Sequence, residues 1–369
     1  MSTINPIIFV HGIQGSWLKN QYPVDYQDEI YWTGILKKKF GKIHLSSIDQ
    51  TVDHDIEKFI FPHQAITLAY ESIVEELREE VTKHTYMFTY DWRKDNRYSA
   101  KKLEEFIKLV LTKAQTHAKQ REEVGPTKVS LIGHSMGGLV IKWYVTQILK
   151  GQFKNKIDKI ITIATPYYGS LKAVEAILPG ARNFFGLEAK KAMRRASRTL
   201  PGVYQLLPTW PKAVVPKQPG KKLDIFKQSF WQKSLVKKLA DEYGPKFFQG
   251  MLDDAKDFTD IIKKDYPANI LKNFYCIYGT GSDTWKQVKV DAQNQNMFDF
   301  EKASVDQNGD GTVHKLSSRV KANGYLIDKK HLIEIGGQHV QMPNHGRVQD
   351  YIVNIFTKNK LIKNFESTI

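Results

Sequence analysis

Lys128-Val129-Ser130-Leu131-Ile132-Gly133-His134-Ser135-Met136-Gly137-Gly138-Leu139-Val140-Ile141 joins an apolar, β-favouring run to the start of a helical stripe. Leu139, Val140, Trp143, Tyr144 and Ile148 carry that stripe onward. Between the two lies Gly133-x-Ser135-x-Gly137, the pattern of a nucleophile elbow. Small residues are needed there because a serine on a tight strand-to-helix turn has a strained backbone. Its neighbours two positions away must let strand and helix approach. The turn lifts the hydroxyl off the sheet toward the helix N-terminus, where the N–H of Met136 can meet a developing oxyanion. Any βα turn tolerates Gly and Ser, so it is the strand before and the helix after that give the five residues their weight.

Outward from the elbow, the chain alternates. Pro6-Ile7-Ile8-Phe9-Val10 reads as a buried strand and runs into His11-Gly12-Ile13-Gln14-Gly15. This loop can offer a second oxyanion donor, the N–H of Ile13, and His11 reads as a residue shaping it rather than a catalyst. Residues 17–63 show no firm period and read as loop and short helices. His63 to His84 reads as a helix, with Ile66, Ala69, Tyr70, Ile73, Leu77 and Val81 on one face. Tyr86 to Tyr90 is a strand ending in Asp91-Trp92-Arg93. Ser99 is the expected cap of the next helix, whose stripe is Leu103, Phe106, Ile107, Val110 and Leu111. Ile160 to Ala164 is the strand after the elbow helix. Strand and helix in regular alternation imply an α/β fold: a mostly parallel central sheet with helices on both faces and catalytic groups at the carboxyl ends of its strands.

The alternation breaks over residues 171–269, which are basic, aromatic and interrupted by Pro201, Pro208, Pro211, Pro216 and Pro219. This segment reads as a helical cap inserted between a first core part, 1–170, and a second, 270–369. Phe184, Phe185 and the cations Arg182, Lys190, Lys191, Arg194, Arg195 and Arg198 are candidates for contact with an anionic lipid surface. The sheet resumes at Phe274 to Tyr278, and His331 to Ile335 is the last strand. Val348 to Thr357 is a closing helix, and the final dozen residues read as a frayed tail.

Composition narrows the function classes. The 369 residues carry 55 Lys and Arg against 39 Asp and Glu, a net charge of +16. Such a field attracts polyanions, but no zinc-finger spacing, RNA-recognition signature or basic heptad appears, so no nucleic acid is expected. No apolar run reaches the eighteen or so residues of a membrane span, and no signal peptide is legible. Cys276 is the single cysteine, which suits a reducing compartment; the expected setting is cytoplasmic, with no cofactor and no metal.

A serine needs a base to take its proton, and the base needs a carboxylate to hold its tautomer. His339, directly after the last strand, suits the base better than His331 or His345. Two acids compete: Asp283 directly after a strand, and Asp310 between two glycines. Position alone leaves both open.

Several stretches together resemble the lecithin:cholesterol acyltransferase-like lipases of the α/β-hydrolase superfamily. They are Tyr90-Asp91-Trp92-Arg93, the elbow, Ala164-Thr165-Pro166-Tyr167-Tyr168-Gly169-Ser170 and Leu200-Pro201-Gly202-Val203-Tyr204-Gln205-Leu206-Leu207-Pro208. Tyr278-Gly279-Thr280-Gly281, Gly309-Asp310-Gly311-Thr312-Val313 and Gly337-Gln338-His339-Val340-Gln341-Met342 follow in family order. The resemblance implies a capped α/β-hydrolase, a triad of Ser135, Asp310 and His339, and a lipid ester substrate cleaved or transferred through an acyl-enzyme. It makes Asp91-Trp92-Arg93 a structural or site-wall motif. His11-Gly12, where the family usually has Pro-Gly, resembles bacterial triacylglycerol lipases instead.

Two rival classes stand beside this reading. Asp306-x-Asn308-x-Asp310-Gly311 is the first half of a calcium loop, with Ser317 where a bidentate Glu belongs. The positive charge also suits a nucleic-acid or scaffold protein on an inactive hydrolase fold; an intact Ser, Asp and His in hydrolase order speaks against it.

Overall fold

A computed structural model describes residues 5–21, 30–32, 43–45, 59–178, 187–218, 220, 223–322, 325–327 and 329–357. Six parallel strands form the central sheet, in the spatial order Leu332–Gly336, Phe274–Thr280, Ile157–Ile163, Val129–His134, Ile7–Val10, Thr85–Phe88. Alternation along the first strand shows why both faces are covered. Ile7 and Phe9 join one apolar cluster with helices Thr67–Glu80 and Gly346–Thr357, while Ile8 and Val10 join the other with helices Asn96–Gln120 and Met136–Trp143. The expected α/β-hydrolase architecture is what the chain adopts.

Strand order reverses direction once. The chain moves from Ile7–Val10 outward to Thr85–Phe88, then returns to Val129–His134 and proceeds to the opposite edge. The loops leaving Val10 and His134 therefore diverge, opening a crevice at the carboxyl ends of two neighbouring strands.

Four details depart from the sequence expectations. Residues 17–63 contribute strands Ser16–Asn20, Ile30–Trp32 and Ile60–Ala65, which form an antiparallel sheet. Leu18 pairs with both Trp32 and Pro62, so the pairing is non-local and leaves no local period. The helix expected from His63 starts at Thr67 because that third strand runs to Ala65. The next helix is capped by Asp95, whose carboxylate accepts from Arg97 N at 2.6 Å, and Ser99 lies inside it. Strands Thr284–Asp291 and Met297–Asp306 form an unforeseen antiparallel hairpin, and Val214–Pro216 from the inserted segment pairs onto it.

Between Ile163 and Phe274 the described chain is mainly helical, with Leu171–Ile177, Leu187–Ser197, Lys233–Tyr243 and Phe247–Ile262 as its longer helices. Of the cations expected to face outward, Lys191 and Arg195 are exposed and Arg194 is half-buried. Arg198 is the exception. It is buried, its Nε donating at 2.9 Å to the carbonyl of Ile177, which draws it onto the end of the preceding helix Leu171–Ile177. The side chains of Arg182, Phe184, Phe185 and Lys190, and the last dozen residues, lie outside the described set.

Two buried polar assemblies fix the loops above the sheet. Arg93 is completely buried and grips Asp91 with two parallel bonds, Nε to Oδ1 at 2.9 Å and Nη2 to Oδ2 at 2.7 Å. Trp92 between them donates to Ser16 O at 3.1 Å and packs edge-on against Trp32. The motif is thus a rivet between the central sheet and the antiparallel one. The second assembly is His11, stacked on Tyr90 at 4.3 Å. Its Nε2 accepts from Tyr90 N at 3.2 Å, which leaves Nδ1–H to donate to Gly12 O at 2.8 Å. His11 therefore shapes the loop, and burial lowers its pKa to about 4.

Both assemblies predict measurable losses. Arg93→Met leaves the Asp91 carboxylate buried without its main partner and should cost on the order of 3 kcal/mol in urea unfolding, with Lys94 at 4.0 Å from Asp91 limiting the damage. Replacing both partners, Asp91→Leu with Arg93→Met, should recover part of that loss. For His11, the unfolded imidazole protonates near 6.5 and the folded one only near 4, so the unfolded chain binds the extra proton in between. Stability should fall as pH drops from 6.5 to 4, by up to about 3 kcal/mol from this group. His11→Gln should flatten that part of the pH profile; an unchanged slope would refute the assignment.

Candidate active site

The elbow is strained as its sequence requires. Ser135 has φ 53° and ψ −128°, a conformation that costs a non-glycine residue about 1–3 kcal/mol. Helix Met136–Trp143 leaves it at once and passes so close to the first strand that a Cβ on Gly137 would lie 2.2 Å from Val10 O. A Cβ on Gly133 would meet Gly138 N at 2.8 Å. Both glycines are there to permit contact, as the sequence pattern implied.

Ser135 Oγ donates to His339 Nε2 at 2.9 Å, and His339 Nδ1 donates to Asp310 Oδ2 at 2.8 Å. All three side chains are buried or nearly so. The remaining oxygen of Asp310 accepts from Thr312 N at 3.0 Å and Val313 N at 2.7 Å, so the carboxylate cannot turn away. A further backbone bond, His339 N to Asp310 O at 2.9 Å, ties the two late loops together. Asp283, the competing acid, is exposed on the loop before the hairpin. His331 bonds to Phe274 O at the far end of the last strand. Of the acids and histidines weighed in the sequence, the fold brings Asp310 and His339 to Ser135.

The two candidate oxyanion donors come from opposite sides of the crevice. Met136 is the first residue of the elbow helix, so its N–H has no partner within that helix. Ile13 follows Gly12, and a Cβ on Gly12 would touch Ser135 Cβ at 2.8 Å, which places the first loop directly against the elbow.

The half calcium loop is otherwise engaged. Asp306 Oδ1 accepts from Asn308 N at 2.9 Å and faces His314 Nε2 at 2.9 Å, while Asp310 turns to His339. Ser317, at the twelfth position, donates to Gly169 O at 2.6 Å. No group of three or more metal-ligating side chains occurs among the described residues, and none of their helices is long and apolar enough to cross a membrane.

Tyr70 and His134 complete the site in a way sequence reasoning missed. Tyr70 appears in the sequence only as one member of a helical stripe, and His134 only as the variable residue of the elbow. Their significance is a matter of tertiary neighbours: Tyr70 Oη lies 2.9 Å from His134 Nδ1.

Parts of the chain are similar to known proteins. Residues 64–245 match the family model for lecithin:cholesterol acyltransferase. A phosphatidylcholine-sterol acyltransferase from Gallus gallus is 26% identical over 228 residues, covering 58% of this chain and 50% of the relative. A phospholipase A(1), LCAT3, from Arabidopsis thaliana is 30% identical over 126 residues, covering 32% of this chain and 26% of the relative. The matches thus span half or less of these curated relatives. Among solved structures, a chain of the Tle4–Tli4 complex superposes with a TM-score of 0.64 at 15% identity, covering 98% of this chain and all of that one, a likeness of fold alone. Residues 64–245, just under half of the chain, thus carry a likeness to the lecithin:cholesterol acyltransferase family.

Proposed function

We propose that the protein cleaves or transfers acyl groups of lipid esters through an acyl-enzyme on Ser135. The observation that carries this reading is the unbroken chain of hydrogen bonds from Ser135 Oγ through His339 to Asp310. As the hydroxyl attacks the ester carbonyl, its proton passes to His339 Nε2, and Asp310 stabilises the imidazolium and holds the ring. The N–H groups of Ile13 and Met136 receive the oxyanion. His339 then gives its proton to the departing alcohol, and water or an acceptor alcohol enters to release the acyl group by the same steps reversed. The names of the relatives, a sterol acyltransferase and a phospholipase, support a phospholipid as acyl donor. Segment 171–269 is proposed as the cap over this crevice. The buried single thiol of Cys276 supports a reducing, cytoplasmic setting.

Ser135→Ala should abolish ester hydrolysis and covalent labelling by a fluorophosphonate while the fold persists. Asp310→Asn should cost on the order of 10⁴ in rate by leaving His339 in the wrong tautomer, and Asp283→Asn should cost little. A lipid panel with product analysis reads these rates and identifies the acceptor; wild-type turnover by Ser135→Ala would overturn the proposal.

The cationic face of helix Leu187–Ser197 is proposed to meet an anionic membrane, through Lys191, Arg194 and Arg195. Changing all three to Gln should weaken adsorption to anionic vesicles, by about 1 kcal/mol per cation at low salt, and lower activity on vesicles. Activity on a short soluble ester should hold. Equal binding of the wild type to neutral and anionic vesicles would refute the membrane contact.

A further inference from the structure

Four segments distant in sequence meet through two buried side chains that the acyl-transfer steps leave unused. Gly12 N donates to Tyr70 Oη at 3.0 Å, Tyr70 Oη lies 2.9 Å from His134 Nδ1, and His134 Nε2 lies 3.0 Å from His339 O. Tyr70 and His134 are each 3% exposed.

We propose that Tyr70 and His134 are positioning residues, a hydrogen-bonded strut that holds the oxyanion loop and the His339 loop in register on either side of Ser135. This rests on the acyl-transfer role of Ser135, Asp310 and His339.

The direction of every proton in the strut follows from its ends. His339 O is a carbonyl and only accepts, so His134 Nε2 carries a hydrogen. Burial disfavours the imidazolium and holds the pKa of His134 well below the usual range, so its Nδ1 is bare and accepts. Tyr70 must then donate to Nδ1, and its oxygen is free to accept the Gly12 N–H. One arrangement satisfies all four groups.

The strut acts on the groups that do the chemistry. At the first loop it grips Gly12 N, while Gly12 O accepts from His11 Nδ1 and from Gly15 N at 3.1 Å. The peptide that carries Ile13 N–H begins at that carbonyl. In a trans peptide the N–H points opposite to the C=O, so anchoring Gly12 at both polar groups sets the aim of Ile13 N–H. At the last loop the strut holds the carbonyl of His339 itself, one residue frame from the imidazole that faces Ser135 Oγ. In the middle, His134 is the residue before the nucleophile. Tyr70 sits on helix Thr67–Glu80 and packs its ring against Phe9 at 5.5 Å, so the strut stands on rigid elements rather than on loops.

Tyr70→Phe removes only the hydroxyl and keeps the ring packing. It strands His134 Nδ1 and Gly12 N, and a displacement of donor or base by about 1 Å can cost about 10²-fold in rate. On a short soluble ester, kcat per site titrated with a fluorophosphonate should fall about 10- to 100-fold, with KM within about twofold. His134→Gln, which keeps one donor and one acceptor on the side chain, should retain more of kcat than His134→Leu. Tyr70→Phe combined with His134→Leu should be no worse than His134→Leu alone, because the two changes break one network. Counting titrated sites separates these effects from loss of folded protein. A Tyr70→Phe kcat per site within twofold of wild type, at any melting temperature, would overturn the strut. A wild type that neither labels at Ser135 nor turns over esters would overturn the acyl-transfer reading instead.

Discussion

The constraint on which the site depends is the approach of the elbow helix to the first strand at Gly137. A single added carbon there would stand 2.2 Å from Val10 O and 2.5 Å from His11 O. That proximity brings the helix N-terminus, with its unpaired N–H groups, beside the loop that leaves the first strand. It also forces Ser135 into its positive-φ conformation, because no relaxed turn would let strand and helix pass so near. The strain is held by the sheet on both sides of the elbow: Ser135 N bonds to Ile163 O and Gly133 pairs with Val10 and Thr162.

Sheet topology turns this local contact into a site. The first strand and the elbow strand are neighbours whose connections leave in opposite directions, so the space outside their carboxyl ends stays open. Asp310 and His339 come from loops following later strands and are joined across that space by both side-chain and backbone bonds. Three groups that would be costly to bury alone are each paired: Asp310 with two N–H groups and an imidazole, Arg93 with Asp91, and His11 with Tyr90 and Gly12. Such pairing also holds the loops in place, which a reaction centre assembled from loops needs.

The described residues within 171–269 contribute more to the core than a detachable lid would. Trp231, Phe248, Leu252 and Phe258 join the same apolar cluster as the elbow helix, and Trp143 of that helix stacks on Phe258 at 5.4 Å. Gly202 comes within a built Cβ distance of 2.6 Å of Trp92 O, so the Asp-Trp-Arg motif anchors this segment as well as the antiparallel sheet.

What the sequence determined by itself is what short-range physics encodes. The elbow, the apolar strands and the helix stripes are legible because a period of two or 3.6 and a pair of glycines are local facts. Ser135 and His339 could be read from position alone, since each directly follows a recognisable strand. Tertiary structure decided whatever depends on neighbours far along the chain. Asp310 and Asp283 are both carboxylates after late strands, and only the fold buries one against His339 and leaves the other in solvent. Residues 17–63 pair with strands too distant to impose a period, and Arg198 reads as a surface cation until the fold draws it onto the carbonyl of Ile177. Tyr70 and His134 carry no signal of their own, because a hydrogen bond between residues 64 positions apart exists only once the sheet has brought helix and elbow together.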